Sequence, residues 1–342
     1  MRQVFAAELG QVLVRDAEVP VPGPGEALVR TTLVGICGSD THALAGHHPL
    51  LYPPYVPGHE AIGVVEALGE GVDSPALGTR VLLKPNLPCG DCENCRSERS
   101  NCCQTLAWVG CDPSGAHPGA MADLFLAPAR NLYPLPEQVS DQQAALVECL
   151  ATPVHAARMA GDLTGRRVVV MGAGTIGVLM LVAARMAGAQ TLVVTDLEPA
   201  KRDRAVQLGA DAAVDAASTS FADDVVAALG GKAEVVFDCV AVEASARQWT
   251  SIVRRGATIC IVGVPNRDFT VPMPLIQDWE LRVQGCAAYT EVDVEQAIRI
   301  GAEIPADLII CEVRPLEDAA AAFEQASRST SGKVLLAPGG GQ

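Results

Sequence analysis

Residues 167–177 read RVVVMGAGTIG, a short apolar run followed by a glycine-rich turn. The run Val168–Met171 predicts a buried strand, and Thr175–Ala187 has the pattern of a helix. The turn fits the spacing G-x-G-x-x-G, in which the first glycine allows a tight turn, the second lets a pyrophosphate approach and the third lets the helix pack on the strand. The stretch therefore predicts a dinucleotide site at a helix N-terminus. Its candidate binding residues are Gly172, Gly174, Thr175, Ile176 and Gly177.

Apolar runs and helical patterns continue to alternate after this turn. The further predicted strands are Leu192–Thr195, Val235–Asp238 and Ile259–Val262. The predicted helices between them are Glu198–Leu208 and Val242–Val253. Strands that alternate with helices predict a parallel sheet covered by helices on both faces.

Asp196 ends the second of these strands, 24 residues after Gly172. A carboxylate at this position can accept hydrogen bonds from a ribose diol and would repel a 2′-phosphate, which favours NAD over NADP. Lys201 and Arg202 keep NADP open, because a nearby cation could accommodate that phosphate. The alternatives are a glycine-rich turn without a ligand and a methyltransferase, which could also place an acid after its second strand.

Composition and charge limit the class of protein. The 342 residues suggest two domains. With 25 Lys and Arg against 40 Asp and Glu, the net charge of −15 disfavours a nucleic-acid partner and an anionic membrane surface. We expect neither a signal peptide nor a spanning segment, and therefore a soluble cytoplasmic protein.

The first 150 residues differ in character from the region around the glycine-rich turn. They are rich in Gly and Pro, and the stretches Ala27–Leu33, Ala61–Leu68 and Arg80–Leu83 predict short strands. This part is expected to be mainly β. The last segment, from about 288 to 342, contains the helical patterns Val292–Ile300 and Leu316–Ala326 and the strand-like Lys333–Leu336. We expect it to pack back on the first domain.

Five of the twelve cysteines fall within fifteen residues. Cys89, Cys92 and Cys95 have the spacing C-x2-C-x2-C, and either Cys103 or Cys102 could supply a fourth thiolate. In a cytosolic protein such a cluster is more typical of a metal site than of disulfides. Four thiolates suit a structural zinc ion, because they leave no position open for a substrate. The alternatives are an iron–sulfur cluster and unliganded buried cysteines.

A second set of metal-ligating residue types is spread more widely along the chain. Cys37 lies in GICGSDTH, His59 and Glu60 lie in PGHE, and Glu148 ends the stretch AALVE. Together these side chains could supply sulfur, nitrogen and oxygen ligands to a zinc ion that keeps one position for water or substrate.

In these motifs the chain resembles the zinc-dependent medium-chain dehydrogenase/reductase family, in the pattern of its sorbitol, threonine and butanediol dehydrogenase branch. The resemblance covers nearly the whole chain, and its cysteine offsets of 0, 3, 6 and 14 select Cys103 over Cys102. The motifs that carry it are Gly35–Asp40, Gly58–Glu60, Cys89–Cys103, Glu148, Gly172–Gly177, Asp196 and Ser331–Val334.

The resemblance implies two zinc ions per chain. Cys37, His59 and Glu148 would bind the catalytic ion, and Glu60 would be a second carboxylate that binds it directly or through water. The chain departs from the pattern at Cys149, where many relatives of this branch have Pro. Cys149 is an alternative ligand, because classical alcohol dehydrogenases use a Cys in this region.

The resemblance also implies a proton relay. Ser39 would hydrogen-bond the zinc-bound oxygen, and His42 would be the outer member of a relay through the ribose, with an ordinary surface histidine as its alternative. His155 is expected in the helix after Glu148, either near the cofactor or in a packing role.

The implied fold is α/β, with two domains. A GroES-like, mainly β catalytic domain would comprise residues 1–150 and 288–342, and a Rossmann domain with a doubly wound parallel sheet would comprise residues 151–287. The active site is expected in the cleft between them. The implied reaction transfers a hydride between NAD(P) and a secondary alcohol, polyol or amino alcohol, with a biosynthetic intermediate such as an aminocyclitol as the alternative substrate. A homotetramer is the implied assembly, and a dimer is its alternative.

Other functional classes fit the residues less well. A zinc-free enone reductase would lack the second ligand set, and a short-chain dehydrogenase would have Tyr-x-x-x-Lys, which is found at none of the four tyrosines. A noncatalytic NAD-binding protein would be expected to have lost the zinc ligands or the residues of the proton relay. A nucleic-acid-binding zinc protein would need a basic surface, whereas the cysteine-rich segment carries Asp91, Glu93 and Glu98 beside Arg96 and Arg99.

Overall fold

The protein folds into two compact units. The computed structural model describes residues 1–265, 267–328 and 332–339, so Ser331 of the last motif lies outside the described residues. One unit contains Met1–Glu148 and Ile309–Gln342, and the other contains Cys149–Leu308. The first boundary falls two residues before the expected one, and the second lies at 308/309 rather than 287/288.

Strands form sheets in both units. In chain order they are β1 (Arg2–Glu8), β2 (Gln11–Asp16), β3 (Glu26–Gly35), β4 (Glu60–Leu68), β5 (Arg80–Leu83), β6 (Asn86–Leu87), β7 (Ala107–Trp108), β8 (Leu124–Pro128), β9 (Leu132–Pro134), β10 (Arg167–Met171), β11 (Thr191–Asp196), β12 (Ala212–Asp215), β13 (Ala233–Asp238), β14 (Val253–Ile261), β15 (Arg282–Gly285), β16 (Ile310–Pro315) and β17 (Lys333–Ala337). The predicted strands are all present in this set, most of them with bounds moved by one or two residues.

Helices are concentrated in the second unit. The α-helices are α1 (Gly38–Leu44), α2 (Glu93–Arg96), α3 (Asp141–Ala144), α4 (Val147–Ala160), α5 (Thr175–Met186), α6 (Pro199–Gln207), α7 (Phe221–Leu229), α8 (Glu243–Ile252), α9 (Met273–Asp278), α10 (Glu291–Arg299), α11 (Ala306–Ile309) and α12 (Ala319–Arg328). Single 3₁₀ turns occur at Ser100–Cys102, Ala129–Asn131, Gly301–Glu303 and Leu316–Asp318. Over the described ranges, no helix is both long enough and apolar enough to cross a membrane.

The second unit is built on a six-stranded parallel sheet in the order β12-β11-β10-β13-β14-β15. Helices α5 to α8 pack against it, which confirms the predicted doubly wound architecture. The central strands are almost entirely buried because a sheet covered by helices leaves neither face to water. The strand order reverses between β10 and β13, so the crevice at their carboxyl ends is the point where such sheets bind ligands.

The first unit contains a sheet in the order β16-β17-β3-β4-β5-β9, with β8 also paired to β3. Strand β17 pairs antiparallel with β3, so the end of the chain returns to the first unit as predicted. The core of this unit combines residues from the first strands with Phe323, Val334 and Leu336. This arrangement makes the unit mainly β and joins its two chain segments in one core.

Residues 288–308 belong to the second unit because α10 is tied to α4 by a buried carboxylate. Asp293 on α10 is fully buried, and its oxygens lie 2.8 Å from His155 Nδ1 and 2.7 Å from Arg158 Nε on α4. The backbone and hydroxyl of Thr290 donate two more hydrogen bonds to it, at 2.9 and 2.8 Å. This contact fits the packing role, which is one of the two roles expected for His155.

Replacing Asp293 with Asn is expected to destabilise the second unit by about 1.5–3 kcal/mol at neutral pH, the usual range for hydrogen bonds to a charged group. Burial favours the neutral acid, but the hydrogen bonds from His155, Arg158 and Thr290 outweigh it and hold the pKa of Asp293 well below its usual range. This contribution is complete above the unfolded-state pKa near 3.8 and is lost as the pH falls from there towards the lower folded-state pKa.

Urea unfolding at several pH values measures this effect. Glu295→Gln is the matched control, because Glu295 is an exposed acid on the same helix. An equal loss of stability in both variants, or a difference that persists unchanged at pH 3, would contradict the assigned role of Asp293.

Candidate functional site

The glycine-rich turn joins β10 to α5, and each glycine has a distinct structural role. Gly172 has a φ of +92°, which side-chain-bearing residues rarely adopt. A Cβ on Gly177 would lie 1.9 Å from the carbonyl oxygen of Gly172, so the helix could not pack against the turn. A Cβ on Gly174 would meet open space. These observations match the roles predicted for the tight turn, the close packing and the approach of a pyrophosphate.

Asp196 lies beside this turn at the carboxyl end of β11. Its carboxylate accepts hydrogen bonds from the backbone amides of Ala173, at 2.7 Å, and Glu198, at 2.9 Å. A cavity of about 510 Å³ opens here, and Gly172, Gly174, Asp196 and Lys201 are among its lining residues. The turn, the helix N-terminus and a fixed acid thus surround one cavity, which fits a dinucleotide.

Arg202 contacts other protein groups, whereas Lys201 lines the nucleotide cavity. The Arg202 guanidinium donates to the carbonyl oxygens of Asp196 and Leu197, at 2.9 and 2.8 Å, and lies 3.5 Å from the Asp215 carboxylate. Protein groups therefore engage this guanidinium, whereas Lys201 lines the cavity itself. Thr175 and Ile176 form the first turn of α5.

Four cysteine sulfurs converge in the cysteine-rich segment. The Sγ atoms of Cys89, Cys92, Cys95 and Cys103 all lie within 4.8 Å of one another. The separations are 3.9 Å for Cys89–Cys95, 3.5 Å for Cys92–Cys95 and 4.0 Å for Cys92–Cys103. Zn–S bonds of about 2.3 Å in a tetrahedron place sulfurs about 3.8 Å apart, so this group fits one zinc ion and leaves no room for an iron–sulfur cluster.

Backbone amides point at two of these sulfurs, those of Cys89 and Cys103. Hydrogen bonds from the amides of Asp91 and Cys92 lower the pKa of Cys89 to about 6, which makes it a thiolate at neutral pH. The Cys89 amide points at Cys103 Sγ, at 3.2 Å. Cys102, the alternative to Cys103, instead has its sulfur 3.6 Å from Arg99.

The second set of candidate ligands meets where β3 ends and β4 begins. Gly35 pairs with Glu60 across these strands, so Cys37, two residues after β3, comes beside His59 and Glu60. Ligand atoms of Cys37, His59 and Glu60 lie within 4.8 Å of one another. His59 and Glu60 are 5% and 3% exposed.

Glu148 approaches this group from the start of α4. It is buried, and its carboxylate lies within 4.8 Å of that of Glu60. Over the described residues, the cluster that contains both Cys37 and His59 includes Glu60 rather than Glu148. The geometry thus favours Glu60 as the carboxylate beside Cys37 and His59, with Glu148 next to it. Cys149, the alternative ligand, follows Glu148 in α4 and is also buried.

Glu60 forms a buried ion pair that the sequence did not indicate. Lys333, 5% exposed at the start of β17, contacts the Glu60 carboxylate. The pair fits because residue 35 is glycine, since a Cβ there would lie 2.2 Å from Glu60 Oε2 and 2.8 Å from Lys333 Cε. A buried carboxylate needs such a partner. Lys333 lies in a motif of the family resemblance, but only the pairing of β17 with β3 brings it to Glu60.

The imidazole of His59 has polar neighbours at both ring nitrogens. Ser39 Oγ lies 3.4 Å from Nε2, and Cys111 Sγ lies 3.2 Å from Nδ1. Burial disfavours protonation, but the interactions with Cys111, Asp40 and Cys37 outweigh it and raise the pKa of His59 well above its usual value. Sulfur, nitrogen and carboxylate donors of the kind gathered here suit a divalent zinc ion.

The histidines outside this group have mixed environments. His42 lies on α1 three residues after Ser39 and is exposed, so the two side chains share one face of the helix. His48, for which the sequence suggested no role, accepts hydrogen bonds from the amides of Leu50 and Leu51.

Comparison with known proteins places these features in a family. Residues 23–137 match the family model described as the alcohol dehydrogenase GroES-like domain, and residues 175–303 match the zinc-binding dehydrogenase model. Sorbitol dehydrogenase of Macaca fascicularis is 32% identical over 335 residues, which cover 96% of this chain and 93% of that protein.

Solved structures show the same fold with cofactors bound. A zinc-binding dehydrogenase of Sinorhizobium meliloti 1021, solved with NADP, superposes with a TM-score of 0.91 at 30% identity and covers 98% of this chain and 99% of its own. An alcohol dehydrogenase of Escherichia coli CFT073 in complex with NADH gives 0.90 at 27% identity, with the same coverage. The predicted combination of a GroES-like domain and a Rossmann domain is thus confirmed, and the chain belongs to the zinc-dependent medium-chain dehydrogenase/reductase family as an NAD(P)-linked oxidoreductase of the alcohol and polyol dehydrogenase type.

Proposed function

We propose that this enzyme oxidises a secondary hydroxyl group of a polyol or related alcohol with NAD, at the site formed by Cys37, His59 and Glu60. The observation that carries the proposal is the convergence of one thiol, one imidazole and one carboxylate, with the Ser39 hydroxyl at the imidazole. Three protein ligands of this kind leave a zinc ion one open position, which is the arrangement of catalytic rather than structural zinc.

Each residue of the site has a defined task in this proposal. Bound zinc would act as a Lewis acid on the substrate oxygen, and the nicotinamide would accept the hydride. Cys37, His59 and Glu60 hold the metal, and Glu148 provides a second carboxylate beside Glu60. Lys333 balances the charge of Glu60 and holds it in place.

The proton of the substrate hydroxyl leaves through Ser39 and His42. Ser39 is close enough to His59 to hydrogen-bond an oxygen placed beside that ligand. His42 is exposed on the same helix face and can exchange protons with water. Ser39 and His42 would thus be the inner and outer members of this relay.

NAD is the proposed cofactor because the Asp196 carboxylate lines the nucleotide cavity. Lys201 also lines this cavity, and one similar solved structure contains NADP. The proposed preference for NAD over NADP therefore rests on the Asp196 carboxylate.

Replacing Asp196 with Ala is expected to lower the ratio of kcat/KM for NAD to that for NADP by about tenfold or more, because the ribose diol loses a charged acceptor and the 2′-phosphate loses a repelling neighbour. Initial rates with both cofactors measure the ratio. Asp215→Ala is the matched control, since Asp215 ends the next strand and pairs with Arg202 instead. An unchanged ratio in the Asp196 variant would remove this residue from cofactor selection.

The polyol class is proposed from the relatives. The sorbitol dehydrogenase that matches 96% of this chain is named for a polyol. An amino alcohol, or an intermediate such as an aminocyclitol, would use the same metal chemistry and is the alternative substrate.

The test follows NADH formation by its near-ultraviolet absorbance with purified, zinc-loaded protein. The panel contains sorbitol, butanediol, threonine, simple secondary alcohols and cyclitols, each with NAD and with NADP. Activity on a polyol with NAD that a chelator abolishes would support the proposal. Activity that survives removal of all zinc would contradict it, and NAD binding with only one zinc ion per chain would favour a noncatalytic protein.

The assembly and the compartment complete the proposal. A homotetramer, with a dimer as the alternative, is proposed from the family resemblance and is measured by light scattering. The cytoplasm is proposed as the compartment because the proposed zinc ligands Cys89, Cys92, Cys95 and Cys103 must stay reduced thiols to bind the metal.

A further inference from the structure

The ring of His59 belongs to two clusters of potential ligands. One cluster contains Cys37 and Glu60, and the other contains Asp40 and Cys111. Nδ1 faces the second cluster, with Cys111 Sγ at 3.2 Å and Asp40 Oδ2 at 3.9 Å. Because Nδ1 faces this cluster, Nε2, 3.4 Å from Ser39 Oγ, is the nitrogen left for the proposed catalytic metal.

A neutral imidazole that binds a metal through Nε2 carries its hydrogen on Nδ1. That N–H needs an acceptor because His59 is 5% exposed. The Cys111 sulfur is within hydrogen-bond distance, whereas 3.9 Å is too long for a hydrogen bond to the Asp40 carboxylate.

Asp40 has other partners in this structure. Its Oδ2 accepts a hydrogen bond from the Cys37 amide and its Oδ1 accepts one from the Tyr55 hydroxyl, both at 3.2 Å. The carboxylate thus anchors the loop that carries Cys37, and Cys111 is left as the acceptor at His59.

The position of Cys111 is fixed by close backbone packing. Gly110 has a φ of +78°, and a Cβ there would lie 2.5 Å from the carbonyl oxygen of Gly58, the residue before His59. Trp108, which precedes this turn in β7, packs edge-to-face against the His59 ring with centroids 6.4 Å apart. The turn 108–111 therefore holds the sulfur against the same ring.

We propose that Cys111 is a positioning residue whose sulfur accepts the hydrogen bond of His59 Nδ1–H and so fixes the tautomer and the orientation of this zinc ligand. The inference rests on the proposed function, since it assigns a partner to one ligand of the catalytic metal. Outer partners of metal-bound histidines orient the ring and raise its basicity, and their loss typically weakens metal binding by about 10–100-fold.

The test compares Cys111→Val, which cannot accept a hydrogen bond, with Cys111→Ser, which can. Chelator competition measures zinc affinity at the catalytic site, and the absorption of the cobalt-substituted protein reports the ligand set. Cys111→Val is expected to weaken catalytic zinc by about 10–100-fold while the zinc of the four-cysteine site is unaffected. Cys111→Ser should recover most of the affinity. Cys311→Val is the matched control, because this partly buried cysteine packs against the same core and its sulfur lies 3.4 Å from the Lys333 carbonyl oxygen rather than in a cluster with His59.

Three results would overturn the inference. One is wild-type zinc affinity in Cys111→Val, and another is an equal loss in the Val and Ser variants, which would indicate packing alone. The third is a weaker thiolate-to-cobalt band in Cys111→Val at full cobalt occupancy, which would make Cys111 a ligand. Asp40→Asn separates the two neighbours of Nδ1, since a loss there without one in Cys111→Val would assign the hydrogen bond to Asp40. Wild-type protein that is inactive and binds one zinc ion would instead overturn the proposed function itself.

Discussion

Cys37→Ser is expected to lower turnover by more than about a thousandfold while NAD still binds. Serine is one atom different from cysteine, but its hydroxyl remains protonated at neutral pH and is a poor zinc ligand, whereas a thiolate is a strong one. Cys37 is the only sulfur in the cluster with His59 and Glu60 over the described residues. Its loss leaves a nitrogen and a carboxylate, which hold zinc far more weakly, so zinc content should fall from two ions per chain to one.

Because the variant is expected to bind NAD normally, its loss of turnover can be assigned to the metal site. The glycine-rich turn and Asp196 belong to the other unit and do not involve Cys37. NADH fluorescence titration and zinc analysis should therefore separate a lost metal from a lost fold. Cys311→Ser makes the same change at a cysteine outside both proposed metal sites and should keep both zinc ions and activity. Normal turnover in Cys37→Ser would exclude Cys37 as a ligand of the catalytic metal.

The fold of the second unit was largely predictable because its local signals agree with one another. The run Val168–Met171 is buried in β10, and the glycines after it have the conformation, the packing and the open space that the motif requires. The boundary at 308/309 was not predictable. It depends on Asp293 reaching His155 and Arg158, which are more than 130 residues away along the chain.

The candidate metal sites were predictable only in part, for a similar reason. The four cysteines lie within fifteen residues, so their spacing alone indicates a common site. Lys333 and Cys111 reach Glu60 and His59 through strand pairing and turn geometry, and neither carries a local signal of that contact. Whether Glu60 or Glu148 lies beside Cys37 also depends on tertiary geometry, because the pairing of Gly35 with Glu60 places Glu60 there.

Cys103→Ser is expected to remove the other zinc ion and to lower the stability of the first unit by at least about 4 kcal/mol, the range typical of a lost metal. The four sulfurs belong to a segment whose helix α2 has four residues and whose pair β6–β7 has two residues in each strand. Elements this short cannot offset the conformational entropy lost on ordering the segment, so the metal must provide most of the stabilisation. Limited proteolysis should then cut between Cys89 and Cys103, and the unfolding transition should shift to lower temperature.

Cys102→Ser is the control that makes this experiment decisive. The two cysteines are adjacent, but the Cys103 sulfur lies in the four-sulfur cluster and accepts the Cys89 amide, whereas the Cys102 sulfur faces Arg99. Only the Cys103 variant should lose zinc, because the Cys102→Ser substitution removes no ligand. If the Cys102 variant lost zinc instead, the fourth ligand would be misassigned. If neither variant lost zinc or stability, the segment would be held by its polypeptide contacts, and the second zinc ion per chain would have to be abandoned.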